Sequence, residues 1–282
     1  MTTTTLSSVP AAKKTDRKAP KVTNRRVLRS EWAKFWSLRS SWITLVASVL
    51  ILLVFGSIAA FTYSPDGTGL GGPPGPETGA TSDAISLALT GASFASLIVG
   101  VLGVLMSAGE YGTGMVRSTY AAVPRRLPVL WSKAIVIGPL VTVVTTVGAL
   151  AAFAIGSVGL DGQQIALSLG DDGVLRSLVG AGIYFGMVSM LGVALGSLIR
   201  STAGGIASLV GILLILPGLA SLLPDSLYDS TSPYFPSNAG SAIYSLHQGA
   251  DSLSPSAGLA VFAAWVAVGL IAAAIRLKKS DV

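Results

Sequence analysis

Six stretches of the chain run for about 20 residues without one Asp, Glu, Lys, Arg or His, the length a helix needs to cross a hydrocarbon core of about 30 Å. They cover residues 42–62, 84–108, 134–158, 178–199, 202–223 and 257–275. In lipid every backbone N–H and C=O must be satisfied within the protein, so runs of this kind become helices. The predicted fold is an all-α membrane protein with six transmembrane helices. Only 11% of residues are charged, against about 25% in an ordinary soluble domain. A water-facing globule is therefore excluded.

Orientation is read from Lys and Arg. Ten precede the first run, from Lys13 to Arg39. Arg117, Arg125, Arg126 and Lys133 follow the second, Arg200 follows the fourth, and Arg276, Lys278 and Lys279 follow the sixth. Eighteen of the 19 basic residues thus fall on one side, with Arg176 alone opposite. The opposite loops hold nine acids, among them Asp83, Asp161, Asp171, Asp172 and Asp229. Basic residues stay in the cytosol. The expected placement is a multi-pass protein of a bacterial inner (plasma) membrane with both termini cytosolic. A cleaved signal peptide is not expected, because the charged leader and the first apolar run are both too long. The net charge of +6 is explained by these membrane flanks, so no nucleic-acid partner is expected.

Residues 1–22 are rich in Thr, Ser, Lys, Ala and Pro and predict a disordered cytosolic tail. Residues 23–41 predict an amphipathic helix in the headgroup layer. Leu28, Trp32, Phe35 and Trp36 fall at helical spacing on one face, with Arg25, Arg26 and Arg29 on the flank. That helix either anchors the first span or also touches a cytosolic partner. Residues 42–276 form the six-span domain and 277–282 a short cytosolic tail. The Gly- and Pro-rich loop at 63–83 reads as a flexible external connection. Between 224 and 256, apolar residues such as Tyr228, Tyr234, Phe235 and Ile243 are mixed with Pro and Ser. They predict short external helices at the membrane surface before the last span. Gly182, Gly186, Gly192 and Gly196 make two Gly-x-x-x-Gly pairs, which suit close helix packing.

Chemistry is scarce. There is no cysteine and one histidine, His247, so thiolate chemistry, disulfides and a histidine-rich metal site are excluded. No cofactor or metal is expected. The chain lacks a G-x-x-x-x-G-K-[ST] phosphate loop and ionisable groups within its span cores. It is therefore not expected to be an enzyme, to hydrolyse ATP itself, or to couple to ions. The segment that could do work lies between the second and third runs. Glu110 stands at the membrane exit beside Tyr111, and a short helix is predicted from 113 to 123, ended by Pro124. Arg117, Arg125 and Arg126 lie in or after it. Topology alone explains these charges, or they form a surface for a cytosolic protein.

Two stretches carry a resemblance to a known family. These are LRSEWAKFWSLRSSW at 28–42 and GEYGTGMVRSTYAAVPRR at 109–126. Together with the six-span layout they resemble the membrane subunit of actinobacterial type-2 ABC exporters. The resemblance is specific in those two stretches and loose elsewhere. It implies a permease that forms an efflux pathway, powered by a separate cytosolic ABC ATPase subunit. It also implies a second permease chain, in the simplest case a homodimer. The first stretch would be the connecting helix. The second would be the coupling helix, with Glu110, Tyr111, Arg117, Arg125 and Arg126 at the ATPase interface. Gly112 and Gly114 should weaken the helicity of that segment. Aliphatic spans suit a hydrophobic or amphipathic cargo (drug, lipid or peptide), and equally suit plain lipid contact. A non-transporting anchor or sensor, and a membrane-embedded enzyme, are the competing readings.

Overall fold

The computed structural model describes residues 23–64, 83–122, 126–222, 224–249 and 252–279. The expected tail at 1–22, most of the 63–83 loop, Pro124, Arg125 and residues 280–282 lie outside them. Among the described residues the chain is all helical. It is a multi-pass membrane protein, with six helices long and apolar enough to span.

Helix α1 (Asn24–Ser37) is set off from α2 (Arg39–Phe61) by Leu38, whose extended backbone breaks the rod. A short α3 (Ala84–Ala88) precedes α4 (Ala92–Gly112), and α5 (Met115–Ala122) follows. Then come α6 (Leu127–Gly159) and α7 (Val174–Ile199). The fifth span is α8 (Thr202–Val210), a π-helical turn (Gly211–Ile215) and α9 (Leu216–Ala220). The short α10 (Asp225–Thr231), a 3-10 turn (Ser232–Tyr234) and α11 (Pro236–Tyr244) lead to the last span, α12 (Pro255–Lys279).

Three boundaries differ from the sequence expectation. The run at 84–108 is not one rod. Asp83 caps α3, accepting from the Ser86 N–H at 2.6 Å, and the chain turns at Leu89–Gly91 before α4 begins. Gly91 is needed there, because a Cβ would stand 2.8 Å from the Ile51 carbonyl oxygen of α2. The run at 202–223 carries the π turn, in which the Leu216 N–H donates to the Gly211 carbonyl. Pro217 explains it: proline has no N–H to return to the carbonyl four residues back, and the helix widens before it. Finally, α6 has 33 residues, or about 50 Å at 1.5 Å per residue. It therefore projects beyond the hydrocarbon layer and brings Trp131 and Lys133 into the helix.

Helix α7 is the central post, and both Gly-x-x-x-Gly pairs are used on it. Cβ atoms at Gly182 and Gly186 would overlap the Thr146 and Thr142 hydroxyls of α6. One at Gly192 would overlap the Gly100 carbonyl of α4, and one at Gly196 the Ser107 hydroxyl. Without Cβ atoms the helices approach backbone to backbone, and van der Waals contact replaces a hydrophobic drive that lipid does not supply. The outer helices α2, α8–α9 and α12 keep apolar faces such as Ile43, Val54, Leu214 and Val268 exposed, as lipid contact requires.

The bundle has a basic and an acidic end. The acidic end carries α3, α10 and α11. There Arg176 donates to the Ser245 carbonyl at 3.1 Å, and His247 Nδ1 lies 3.2 Å from Asp83 Oδ2. The short helices expected before the last span are α10 and α11, with α11 packed on α7 and α12.

Candidate functional site

The basic end holds the densest polar cluster. Helix α1 turns Val27, Glu31 and Phe35 inward, at i, i+4 and i+8, so one acid is carried into the protein on an otherwise apolar stripe. Glu31 is only 2% exposed. Its Oε1 accepts from Lys34 Nζ at 2.7 Å and its Oε2 from Lys133 Nζ at 2.7 Å. Glu110 closes the ring. Its Oε1 accepts from Lys34 at 2.9 Å and from Lys133 at 2.7 Å. Two carboxylates and two ammoniums thus alternate in a neutral ring of four ion pairs.

The ring ties three elements together. Glu31 and Lys34 stand on α1, Glu110 in the last turn of α4, and Lys133 in the second turn of α6. Burial by itself lowers the Lys34 pKa. The hydrogen bonds and charges of Glu31 and Glu110 more than reverse this, so the ammonium titrates above its ordinary value. Dehydrated ions are costly unless paired, and here each ion has two partners.

Between the α4 and α6 members of the ring the chain makes α5. Gly114, at φ 74°, supplies the left-handed turn that reverses direction after α4. Gly112 ends α4, and α5 forms over Met115–Ala122. Helix α5 rests on the bundle through buried Val116, while Met115, Ser118 and Ala121 face outward. It is a short helix whose flanking helices, α4 and α6, are joined to each other and to α1 by the ionic ring.

The sequence-predicted residues divide accordingly. Glu110 is not on an open surface; its side chain is 12% exposed and committed to two lysines. Tyr111, half-buried, lies under the Arg200 guanidinium, 5.4 Å from ring centroid to Cζ. This joins α4 to the α7–α8 turn, where Arg200 takes the left-handed backbone (φ 62°) and Ser201 caps α8 by accepting from Gly204. Arg126 immediately precedes α6 and is half-buried. Arg117 falls on α5, but its side chain, like all of Arg125, lies outside the described residues. Of the α1 residues, Phe35 is buried, Leu28 is half-buried, and Trp32 and Trp36 are exposed at 44% and 51%. The two indoles pack on each other at 5.7 Å, and Trp36 packs on Trp42 at 4.3 Å. That aromatic surface is suited to a headgroup layer.

Sequence reasoning missed Glu31, Lys34, Lys133 and Arg200. One signal was present. Between residues 23 and 279 the basic side carries just two acids, Glu31 and Glu110, and both enter the ring. No protein-family profile matches the chain, and no curated protein matches it significantly in sequence.

Proposed function

We propose that this chain is the permease subunit of an ABC exporter, with its basic end in the cytosol of a bacterial cell. The observation that carries the reading is the ring of Glu31, Lys34, Glu110 and Lys133, which braces α1, α4 and α6 where the chain leaves α4 for α5 and returns in α6. With the helices on either side of α5 braced in this way, a push on α5 is passed to the spans through α4 and α6.

In this reading α5 is the coupling helix. Met115, Ser118 and Ala121 offer the contact surface for a cytosolic ATPase. Displacement of α5 moves Glu110 and Lys133 with it, and the ring draws α1 along through Glu31 and Lys34. Tyr111 and Arg200 carry the same motion to the α7–α8 turn. The exposed tryptophans of α1 pivot in the headgroup layer. The role of Glu110 is thus positional: it sets α5 rather than touching the ATPase. A second permease chain and two ATPases would complete the unit, and the cargo would be hydrophobic or amphipathic.

The test is co-expression with an ATPase encoded beside it, followed by purification in mild detergent. The expected result is a stable complex whose ATPase rate falls in Met115→Asp with no loss of permease stability. Failure of any ATPase to co-purify would overturn the proposal, as would wild-type rates in this variant and in Ser118→Arg.

A further inference from the structure

A cavity of about 200 Å³ lies toward the acidic end, between α4, α7, α11 and the π turn. It is far from the ionic ring. Tyr184, on its wall, is the eleventh residue of α7, so it stands about 15 Å along that helix from its acidic end. Leu213 and Leu214 of the π turn form an apolar side. Leu97 of α4 adds to it, and the rest is polar: Ser93 and Ser96 from α4, Tyr184 from α7, and Ser237, Asn238, Ser241 and Tyr244 from α11. So many hydroxyls around one void are unusual in a lipid-embedded bundle, where polar groups need a partner.

The hydrogen bonds decide what chemistry the void presents. Ser96 donates to the Ser93 carbonyl at 2.7 Å, and Ser241 to the Asn238 carbonyl at 2.9 Å. The Asn238 amide donates to the Ser232 carbonyl at 2.8 Å. These donors are committed to backbone, while the serine oxygens keep lone pairs. The wall therefore offers these acceptors together with the O–H groups of Tyr184 and Tyr244. It contains no Asp, Glu, Lys, Arg or His, so an ion would lose its water without gaining a counter-charge. Tyr184 and Tyr244, with ring centroids 5.7 Å apart, add flat aromatic faces. Burial raises the Tyr244 pKa, which keeps its phenol a neutral O–H.

The walls are closely packed. Gly240 lets α11 lie directly on the Tyr184 ring, where a Cβ would overlap it, and Gly180 lets α7 approach the Ile243 carbonyl. The void is also smaller than the 300–1,000 Å³ that enclose a drug-sized ligand. A whole cargo molecule does not fit, but one polar group does.

We infer that this cavity binds an uncharged, hydroxyl-bearing group, a glycosyl or polyol moiety, at the acidic end of the span. Such a group donates to the serine oxygens, accepts from the tyrosine O–H groups and lays its ring against the tyrosines. The inference rests on the multi-pass fold alone and does not require coupling to an ATPase.

The test uses the full-length protein in phosphatidylcholine nanodiscs, with octyl β-glucoside carrying a photoreactive diazirine on the sugar. Saturable labelling of α4 and α11 is expected, blocked by excess octyl glucoside and not by dodecylphosphocholine. Tyr244→Phe removes one hydrogen bond and should raise the half-saturating concentration by about three- to tenfold. Ser241→Leu, which fills the void, should abolish labelling; if it does not fold, Tyr244→Phe still decides. Protection by methyl β-glucoside as well marks a water-soluble source of the group. Protection by the alkyl glucoside alone marks an amphiphile's headgroup. Both support the site. Labelling that is non-saturable and spread over the lipid faces of α2 and α12 would overturn it. So would equal protection by dodecylphosphocholine, or labelling unchanged in the folded variants.

Discussion

Replacing Glu31 with glutamine removes one of two acids from the ring and leaves Lys34 and Lys133 leaning on Glu110 alone. The Lys133 side chain is only 5% exposed, so its charge cannot escape to water. Breaking a buried ion pair costs about 3–5 kcal/mol, and because Glu110 still reaches both ammoniums the lower end applies, about 3 kcal/mol. Lys133→Met should cost a similar amount, since it leaves two carboxylates sharing Lys34. The double variant is neutral again and keeps the Lys34–Glu110 pair at 2.9 Å. Its loss should be about 4 kcal/mol rather than the additive 6, a coupling of about 2 kcal/mol. The assay is SDS-driven unfolding in mixed micelles followed by tryptophan fluorescence. Four of the five tryptophans, Trp32, Trp36, Trp42 and Trp131, lie on α1, the start of α2 and the start of α6, so the signal reports on this end. Additive losses within about 0.5 kcal/mol, or single losses below about 1 kcal/mol, would refute the ring as the clamp on α1.

Gly192→Val should cost at least about 1–3 kcal/mol, because its side chain meets the Gly100 backbone, which cannot rotate aside. Gly109→Ala, with open space at its Cβ in the same α4, should instead be neutral or gain about 0.5–1 kcal/mol in the same unfolding assay. The Lys34 pKa is raised, so its contribution is whole below the unfolded value of 10.5 and is lost as pH rises through the folded value. Wild type and Lys34→Arg should therefore unfold alike from pH 7 to about 10 and separate above 10.5, with the arginine variant the more stable. The chain has no cysteine, so single cysteines can test orientation. Ser118→Cys should be reached by impermeant maleimide only from the cytosol and Ser230→Cys only from outside; the reverse pattern would invert the topology.

The spans were legible in the sequence because lipid demands long uncharged runs. The irregularities within them were only half legible. Pro217 announces a disturbance, yet whether the helix kinks, stops or widens depends on its neighbours. The break at Leu89–Gly91 answers to the α2 backbone at Ile51, which one-dimensional hydropathy does not contain. The face of α1 was hard to read for a deeper reason. In a membrane both the lipid side and the protein side are apolar, so Phe35, grouped with Trp32 and Trp36 on one face, proves to be buried while the two tryptophans are exposed. The ring escaped because its members are distant in sequence: Glu31 and Lys133 are 102 residues apart and Lys34 and Glu110 are 76. Glu110 was singled out as a working residue from its place at a span end. Its two lysine partners were recognised only in three dimensions.

The central claim is that α5 receives a cytosolic ATPase while the ionic ring braces the helices on either side of it. A photoreactive amino acid at Met115, half exposed on α5, tests this in intact cells. Irradiation should join the permease to a protein carrying Walker motifs, with a yield that changes when ATP is depleted. The same residue at Ser230, at the acidic end, should not. Cross-links from Met115 to lipid alone, or equal yields from both positions, would contradict the account.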